Sequence, residues 1–222
     1  MIDLHWRISP AYFPFNIDLN DIWQRLEPAR LLDADIKVFP PEALLLFLCV
    51  HGSKDLWWRR IGWICDIAEL LDSNPDLDWS YSLELATHSG AQRMLLLGLA
   101  LARELLQAPL PENICNLIRL DRALQPLIQQ VHHRLLNEHT IRYPVLEGQS
   151  FRISVRERLS DRIPTYRHLV KTLFSMVFIP NRKDHEVINL PGALSPLYYL
   201  VRPVRLAQKF WSRTFRHSNT TP

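Results

Sequence analysis

Apolar and polar residues alternate at the start of the chain, in residues 2–8. This period of two is typical of a strand with one buried face. Its apolar face carries Ile2, Leu4, Trp6 and Ile8, and its polar face carries Asp3, His5 and Arg7. A lone strand leaves both of its edges unpaired. The pattern therefore predicts a small sheet, completed either by a local hairpin or by strands outside this sequence, and residues 34–39 are a candidate arm of such a hairpin, paired with the opening strand.

Most of the remaining sequence has the spacing of three and four that indicates helices. The predicted helices cover residues 21–26, 42–54, 59–71, 79–88, 91–107, 112–118, 120–137, 154–161, 166–178 and 197–215. Residues 138–150 contain Pro144 and Gly148 and are predicted to form a loop. The fold class predicted is mainly α with an α+β remnant, in which a short N-terminal strand or hairpin precedes a multi-helix domain.

Several helix ends carry their own signals. Asp18 or Asn20 is suited to cap the first short helix, and Asp78 is suited to cap the helix that begins at Trp79. Pro41 is a favourable first-turn residue, and Ser89-Gly90 is a favourable helix end. Residues 42–54 are apolar on nearly every side, which predicts a buried helix.

Composition and charge divide the chain into regions. Residues 1–150 contain 13 Lys and Arg against 19 Asp and Glu, whereas residues 151–222 contain 13 against 4. We therefore expect a residual β element in residues 1–40, a helical domain in residues 41–150 and a basic helical extension in residues 151–222. Only 6 glycines are present, so a glycine-rich phosphate loop is nearly excluded within this chain.

The three cysteines, Cys49, Cys65 and Cys115, form no paired motif and lie among apolar neighbours. We expect three buried thiols in a reducing, cytoplasmic compartment. No uncharged, uninterrupted apolar run reaches the roughly 18 residues of a spanning helix, so we expect no transmembrane segment.

One acidic pair superficially matches a metal-binding motif. Asp33 and Asp35 are two residues apart, a spacing that places two carboxylates on one face of a strand, where they can hold Mg²⁺. They lie at a predicted turn, and no Gly-Ser helix start precedes them. A solvated turn is the favoured interpretation.

His51 and Asp66 lie on the apolar faces of two neighbouring predicted helices. A buried carboxylate at Asp66 needs a partner, and the candidates are His51, Lys54, Arg59 and Arg60. The favoured interpretation is a buried polar bridge between the two helices. The functional alternative is a pair of groups that contact a substrate or nucleotide at the edge of a cleft.

Basic residues alternate with aromatic residues between Arg152 and Arg216. The favoured interpretation is a helix whose aromatic rings pack on the body while its arginines stay solvated. The alternatives are contact with RNA or with an anionic membrane surface, above all through residues 197–216. The polar face of the opening strand is likewise either solvated or a place where Asp3 ligates a metal.

Four segments in this order resemble a known family. They are Ile2-Asp-Leu-His-Trp-Arg7, Pro41-Glu-Ala-Leu-Leu-Leu-Phe-Leu-Cys-Val-His51-Gly, Trp63-Ile-Cys-Asp66-Ile-Ala, and Asp78-Trp79 followed by a Leu/Ala helix. Their order and spacing are similar to those of the uncharacterised nucleotidyltransferases of the polymerase-β-like superfamily, which occur mainly in bacteria. The segment Leu197-Tyr-Tyr-Leu-Val-Arg202-Pro203 also resembles the C-terminal region of that family.

The resemblance implies a small mixed sheet with a metal-binding Asp-x-Asp and a helical domain that closes the cleft. It makes Asp3 the candidate third carboxylate for Mg²⁺, and it makes His5, His51, Lys54 and Asp66 candidate substrate contacts. The expected activity is Mg²⁺-dependent transfer of a nucleoside monophosphate from a nucleotide to an unknown acceptor.

The chain departs from the family in one respect, because the Asp-x-Asp segment would precede residue 1. One carboxylate cannot hold two Mg²⁺ ions. We therefore expect a truncated chain that is inactive as given, and that needs the missing segment or a partner chain that carries Asp-x-Asp. The alternative is a non-enzymatic helical module that binds a protein, RNA or a membrane surface through its basic, aromatic C-terminal region.

Overall fold

The structure of the protein is a computed structural model that describes residues 9–136, 145–181, 188, 191 and 197–205. The first elements are helix α1 (Leu19–Gln24), strands β1 (Glu27–Leu31) and β2 (Ala34–Val38), helix α2 (Pro41–Asp55) and a 3-10 turn (Trp57–Arg59). The following helices are α3 (Gly62–Ser73), α4 (Trp79–Ser89), α5 (Gln92–Leu106), α6 (Glu112–Leu120), α7 (Leu124–Leu136), α8 (Val145–Ser154) and α9 (Leu159–Phe178). Residues 198–205 are also helical. The predicted mainly helical fold with a small N-terminal β element is confirmed.

The two strands form an antiparallel hairpin. Glu27 lies opposite Val38 and Leu31 lies opposite Ala34, so Leu32 and Asp33 form the turn. The extended backbone predicted for residues 34–39 is confirmed for Ala34–Val38, and its described partner is β1. Pro28 lies within β1 opposite Lys37, at a place in the described hairpin where an edge strand tolerates proline. The predicted opening strand, residues 2–8, lies outside the described residues.

Helix α5 is the centre of the first hydrophobic core. Every residue from Met94 to Ala102 is buried, and α5 packs against α2, α3, α4, α6 and α7. A helix surrounded by other helices is apolar on all sides, as this segment is. Helix α2 is the main partner of α5, and the prediction that it is a buried helix is largely confirmed, since most of its residues from Ala43 to Ser53 are buried.

Close packing of α5 against α2 depends on Gly98. A Cβ atom at this position would lie 2.5 Å from the Sγ atom of Cys49 and 3.0 Å from Cδ1 of Ile67. These separations are too short for any side chain, so only glycine lets the three helices approach this closely. The Cys49 thiol is directed at the Leu95 carbonyl, 3.8 Å away.

A second, smaller apolar cluster joins α1 and the end of the hairpin to α2. It contains Ile22, Ala43 and Phe47, with Phe15 and Phe39 packed against it. The Phe39 and Phe47 rings meet edge to face with centroids 4.9 Å apart, which is a favourable arrangement of two aromatic rings. This cluster fixes the hairpin beside the helical body.

The predicted caps of two helices are confirmed. The Asp18 carboxylate accepts a hydrogen bond from the Asn20 backbone N–H, 2.9 Å away. The Asp78 carboxylate accepts hydrogen bonds from the backbone N–H groups of Ser80 and Tyr81, both at 3.0 Å. Gly90 ends α4 with a φ of 68°, in the left-handed region that favours glycine.

Three predicted elements differ from the structure. The predicted helix 59–71 is split, since a 3-10 turn ends at Arg59 and α3 begins at Gly62. Residues 145–150 were predicted to be a loop, and they belong to α8. The glycine in this segment, Gly148, does not form a turn. It allows a close approach to Leu56, since a Cβ atom at Gly148 would lie 3.1 Å from Leu56 Cδ1. In place of the predicted helices 154–161 and 166–178, residues 155–158 are not helical and α9 runs from Leu159 through Pro164 to Phe178. A proline near the start of a helix removes only one intrahelical hydrogen bond.

The chain divides into two compact units, Met1–Tyr166 and Arg167–Pro222. The first unit contains both apolar clusters. In the second unit, the described residues comprise the end of α9 and the helical residues 198–205. The Tyr198 hydroxyl donates a hydrogen bond to the Ile188 carbonyl at 2.8 Å, and Arg202 Nε donates one to the Met176 carbonyl, also at 2.8 Å. These two contacts tie residues 198–205 to the rest of the second unit.

Candidate functional site

Three polar side chains meet at the C-terminal end of α2. His51 Nε2 lies 3.4 Å from Asp55 Oδ2, and Lys54 Nζ lies 2.9 Å from the same oxygen. His51 and Asp55 are four residues apart, so they share one face of the helix. The sequence prediction selected His51 and Lys54 but missed Asp55, which the spacing of four from His51 would have revealed.

Neighbouring elements hold this group in place. The Trp63 ring on α3 meets the His51 ring edge to face, with centroids 5.0 Å apart. Arg152 on α8 donates a hydrogen bond from Nε to the Lys54 carbonyl at 2.8 Å. That carbonyl is in the last turn of α2, where carbonyl groups lack an intrahelical partner and a cation is favourable. Arg152 is 98 residues from Lys54, and no local pattern in the sequence indicates this contact.

We call His51, Lys54, Asp55 and Arg152 the α2-end cluster. Burial lowers the pKa of Arg152 from its ordinary value, and the neighbouring Arg59 lowers it further, while Tyr12 and Asp55 oppose these effects. Arg152 remains cationic at neutral pH, as arginine does in proteins. With Lys54 also cationic, the cluster carries more positive charge than the single Asp55 carboxylate neutralises, so its electrostatics favour an anion.

The exposure of Asp66 corrects the prediction of a buried polar bridge from Asp66 to His51, Lys54, Arg59 or Arg60. The Asp66 side chain is exposed, and His51 is paired with Asp55 on its own helix. Asp66 is exposed because of its angular position around α3. The buried side of α3 is formed by Ile64, Ile67 and Leu71, and Asp66 is about 100° around the helix from Ile67, at the margin of that side.

Asp66 instead lines a groove between the hairpin, α2 and α3, with a volume of about 490 Å³. Its floor includes Phe39, Leu44 and Leu48, and its acidic residues are Glu27, Asp66 and Glu69. The groove therefore combines an apolar floor with carboxylates. Sequence reasoning singled out Asp66 but missed this setting, because Glu27 and Asp66 come together only through the hairpin.

A second groove, about 440 Å³ in volume, lies between α1 and α4. The Tyr81 hydroxyl donates a hydrogen bond to Asp21 at 3.0 Å, and the Arg25 guanidinium lies over the Tyr81 ring, 4.4 Å from its centroid. Burial and the bond to Asp21 raise the pKa of Tyr81 to about 12. Tyr81 is therefore neutral across the physiological range.

Arg156 is a buried charge that the sequence analysis did not single out. Its side chain is fully buried, and its guanidinium stacks over the Phe13 ring at 3.8 Å from the centroid. Within the described ranges, none of its three guanidinium nitrogens has a hydrogen-bond partner. Burial lowers the pKa of Arg156 to about 10. An unpartnered charge of this kind destabilises the fold around it.

The remaining candidates of the sequence analysis have different outcomes. Asp33 and Asp35 are exposed at the hairpin turn, which confirms the solvated interpretation. Cys49 and Cys115 are buried as predicted, whereas Cys65 is exposed, because it lies on the outer side of α3 about 160° around the helix from Ile67. Asp3 and His5 lie outside the described residues, so their predicted roles stay predictions.

The described part of the chain contains no group of three or more His, Cys, Asp or Glu side chains placed to hold a metal ion. None of its helices combines the length and the apolar character needed to cross a membrane.

Comparison with known proteins relates part of the chain to one protein family. The sequence model of the family described as "Uncharacterised nucleotidyltransferase" matches residues 1–107. This match confirms the resemblance to the uncharacterised nucleotidyltransferases over that range. It includes the α2-end residues His51, Lys54 and Asp55, as well as Asp66, and it excludes Arg152. No curated protein and no solved structure matched the chain.

Proposed function

We propose that this chain takes part in nucleotidyl transfer, in which a nucleoside monophosphate passes from a nucleotide to an acceptor. The observation that carries the proposal is the match of residues 1–107 to the uncharacterised nucleotidyltransferase family. That range includes α1, the hairpin and helices α2 to α5. The acceptor and the preferred base are not part of the proposal.

Mg²⁺ is the metal that this chemistry implies, and the described residues do not fit it. They contain no cluster of three metal-ligating side chains, and the exposed pair at Asp33 and Asp35 lacks a third ligand. The proposal therefore assigns the metal to Asp3 together with an Asp-x-Asp pair supplied by another segment or a partner chain. No step is derived through the metal.

The α2-end cluster is the proposed contact for the phosphates of the nucleotide. Lys54 is paired with Asp55, and Arg152 is hydrogen-bonded to the Lys54 carbonyl, so two cationic side chains are anchored at the end of α2. Triphosphate oxygens are strong acceptors for such charge-assisted hydrogen bonds. The His51 side chain, paired with Asp55, is partly exposed beside them.

Asp66 is proposed as a contact for the acceptor and not for the nucleotide. It lines the groove beside Glu27 and Glu69, where a triphosphate would be repelled. Trp63, three residues earlier on α3, contacts His51. One helix therefore carries a contact for each proposed substrate.

Nucleotide binding tests this proposal. Titration calorimetry with ATP and with GTP, each in the presence of Mg²⁺, is carried out on the wild-type chain and on the double variant His51→Ala/Lys54→Met. We expect the double variant to bind at least roughly tenfold more weakly, since each charge-assisted hydrogen bond contributes about 1.5–3 kcal/mol.

The matched control is His88→Ala/Lys37→Met. It removes the same two residue types from α4 and β2, where both side chains are exposed, and it should leave binding within twofold of the wild type. Equal binding by the wild type and the His51→Ala/Lys54→Met variant would remove the α2-end cluster from the proposal. Absence of any nucleotide binding by the wild type, even with Mg²⁺, would count against the proposed function as a whole.

A further inference from the structure

An apolar stripe on α9 faces solvent in the second unit. Val170, Leu173, Phe174 and Val177 follow one another at steps of three, one and three, so they share one side of the helix. All four are exposed, Val170 by 65% and Phe174 by 59%. A stripe at this spacing is normally the buried side of a surface helix. We call these four residues the α9 stripe.

The helical residues 198–205 add a second group of exposed apolar side chains to the same unit. Leu197, Tyr199, Leu200 and Val204 are all exposed. The Arg202 bond to the Met176 carbonyl joins this segment to α9. Exposed apolar side chains in such number mark an interaction surface.

The charge of this unit is strongly one-sided. Residues 167–222 contain nine Lys and Arg and only two acidic residues. Within the described ranges 167–181 and 197–205 there is no Asp or Glu at all. Arg167 precedes the α9 stripe by three residues, and Lys171 follows Val170 directly, about 100° around the helix from it. A long basic side chain beside an apolar stripe can reach past it to a charged surface.

We propose that the α9 stripe and residues 197–205 form a docking surface for a bilayer of anionic phospholipids. The apolar side chains enter the boundary between headgroups and acyl chains, while Arg167 and Lys171 contact the anionic headgroups. The charge selects an anionic partner. The stripe is mainly aliphatic, with Phe174 as its one aromatic residue, and aliphatic side chains gain little from stacking on nucleic-acid bases.

Vesicle flotation tests the docking surface. The full chain is mixed with phosphatidylcholine vesicles and with equimolar phosphatidylcholine and phosphatidylglycerol vesicles, at low and at high salt. We expect roughly tenfold tighter binding to the anionic vesicles at low salt and a marked loss of that difference at high salt.

Variants separate the apolar and the ionic contributions. Val170→Ser/Phe174→Ser should weaken binding to anionic vesicles by roughly tenfold or more. Lys171→Glu should weaken it by a smaller factor and only at low salt. The control Leu120→Ser/Leu136→Ser replaces two exposed leucines of the first unit and should bind as the wild type does. Circular dichroism checks that each variant keeps its helical content.

Several results would overturn the proposal. One is equal affinity for the two kinds of vesicle, and another is unchanged binding by Val170→Ser/Phe174→Ser. A stable dimer in analytical ultracentrifugation that this double variant dissociates would assign the stripe to a second copy of the chain. Tight binding of single-stranded RNA without binding to vesicles would assign the surface to nucleic acid.

Discussion

Helix α5 and the second half of α9 have similar apolar spacing and opposite surroundings. In α5 every residue from Met94 to Ala102 is buried, whereas the α9 stripe is exposed. Their neighbours account for the difference, since α5 packs against five other helices of the first unit. An apolar pattern at helical spacing therefore specifies a helix and an apolar side, but it does not specify what covers that side.

Charge differs between the same two regions. The first unit places opposite charges together, as in the ion pair between Arg93 and Asp121 at 2.7 Å. Residues 167–222 have too few acidic residues to do so, with nine Lys and Arg against two. The first unit has 17 Lys and Arg against 21 acidic residues, so its charges are nearly balanced in number, whereas the second unit has a large basic excess.

The largest expected effect on stability comes from shortening a buried leucine of α5, compared with the same change at an exposed leucine of the second unit. Leu97→Ala empties a fully buried position in α5 and should lower the free energy of unfolding by about 2–5 kcal/mol. Leu200→Ala changes an exposed side chain and should alter it by less than about 0.5 kcal/mol. Urea denaturation measures both. Similar losses for the two variants would show that the second unit has a core of the same kind.

The next effect concerns close packing in the first unit. Gly98→Ala should lower the free energy of unfolding by about 1–3 kcal/mol, since the new Cβ meets the Cys49 thiol and Ile67. Gly62→Ala is the matched control, because a Cβ there lies 3.7 Å from its nearest neighbour, a side-chain atom of Arg60. Alanine is the better helix former, so the control should be neutral or slightly stabilising. If Gly98→Ala stabilised the protein, the α2–α5 interface would be looser than described.

A third prediction concerns the one exception to charge pairing described in the first unit. Arg156→Met replaces a buried, unpartnered guanidinium by an apolar side chain of similar length. It should raise the free energy of unfolding by about 1–3 kcal/mol, which is the cost of leaving a buried polar group unsatisfied. Thermal unfolding at neutral pH measures the change. A loss of stability would mean that the stacking on Phe13 outweighs the cost of burial.

The smallest expected effect is the pH dependence of an ion pair between α7 and α8. Arg134 hydrogen-bonds Glu147 through Nε at 2.6 Å, and this bond lowers the pKa of Glu147 below its ordinary 4.5. The lowered pKa stabilises the fold at pH values above about 4.5, and this contribution disappears as the pH falls through the pKa of the folded state. Glu147→Gln should therefore cost less than about 1 kcal/mol at pH 7 and progressively less at lower pH.

Unfolding of the wild type and of Glu147→Gln at pH 7 and pH 3 checks this prediction. The two proteins should converge at the lower pH. A difference that grows on acidification would contradict the pKa direction. Glu112→Gln is a suitable control, because its partner Arg119 is on the same helix and both side chains are mostly exposed.

The candidate site shows which functional residues could be predicted from the sequence and which could not. His51 was found because it lies in a motif on one buried helix, and Lys54 was found as a candidate partner of Asp66. Asp55 was within reach of the same reasoning, since a spacing of four places it beside His51. Arg152 could not be predicted, because it is 98 residues from Lys54, whose carbonyl it contacts. Asp66 was placed on a buried face and is exposed, because helical spacing gives an angle around one helix but not the helix that faces it.

By itself the sequence determined the helical class, the caps at Asp18, Asp78 and Gly90, and the buried character of α2, because these depend on residues within one or two turns of each other. The tertiary structure alone decided that β2 pairs with β1, that Arg156 is buried against Phe13 without a hydrogen-bond partner among the described residues, and that the α9 stripe stays exposed. These outcomes depend on which elements, distant in sequence, pack against each other. The packing free energy is the sum of contacts among many side chains, and no short segment contains all of them.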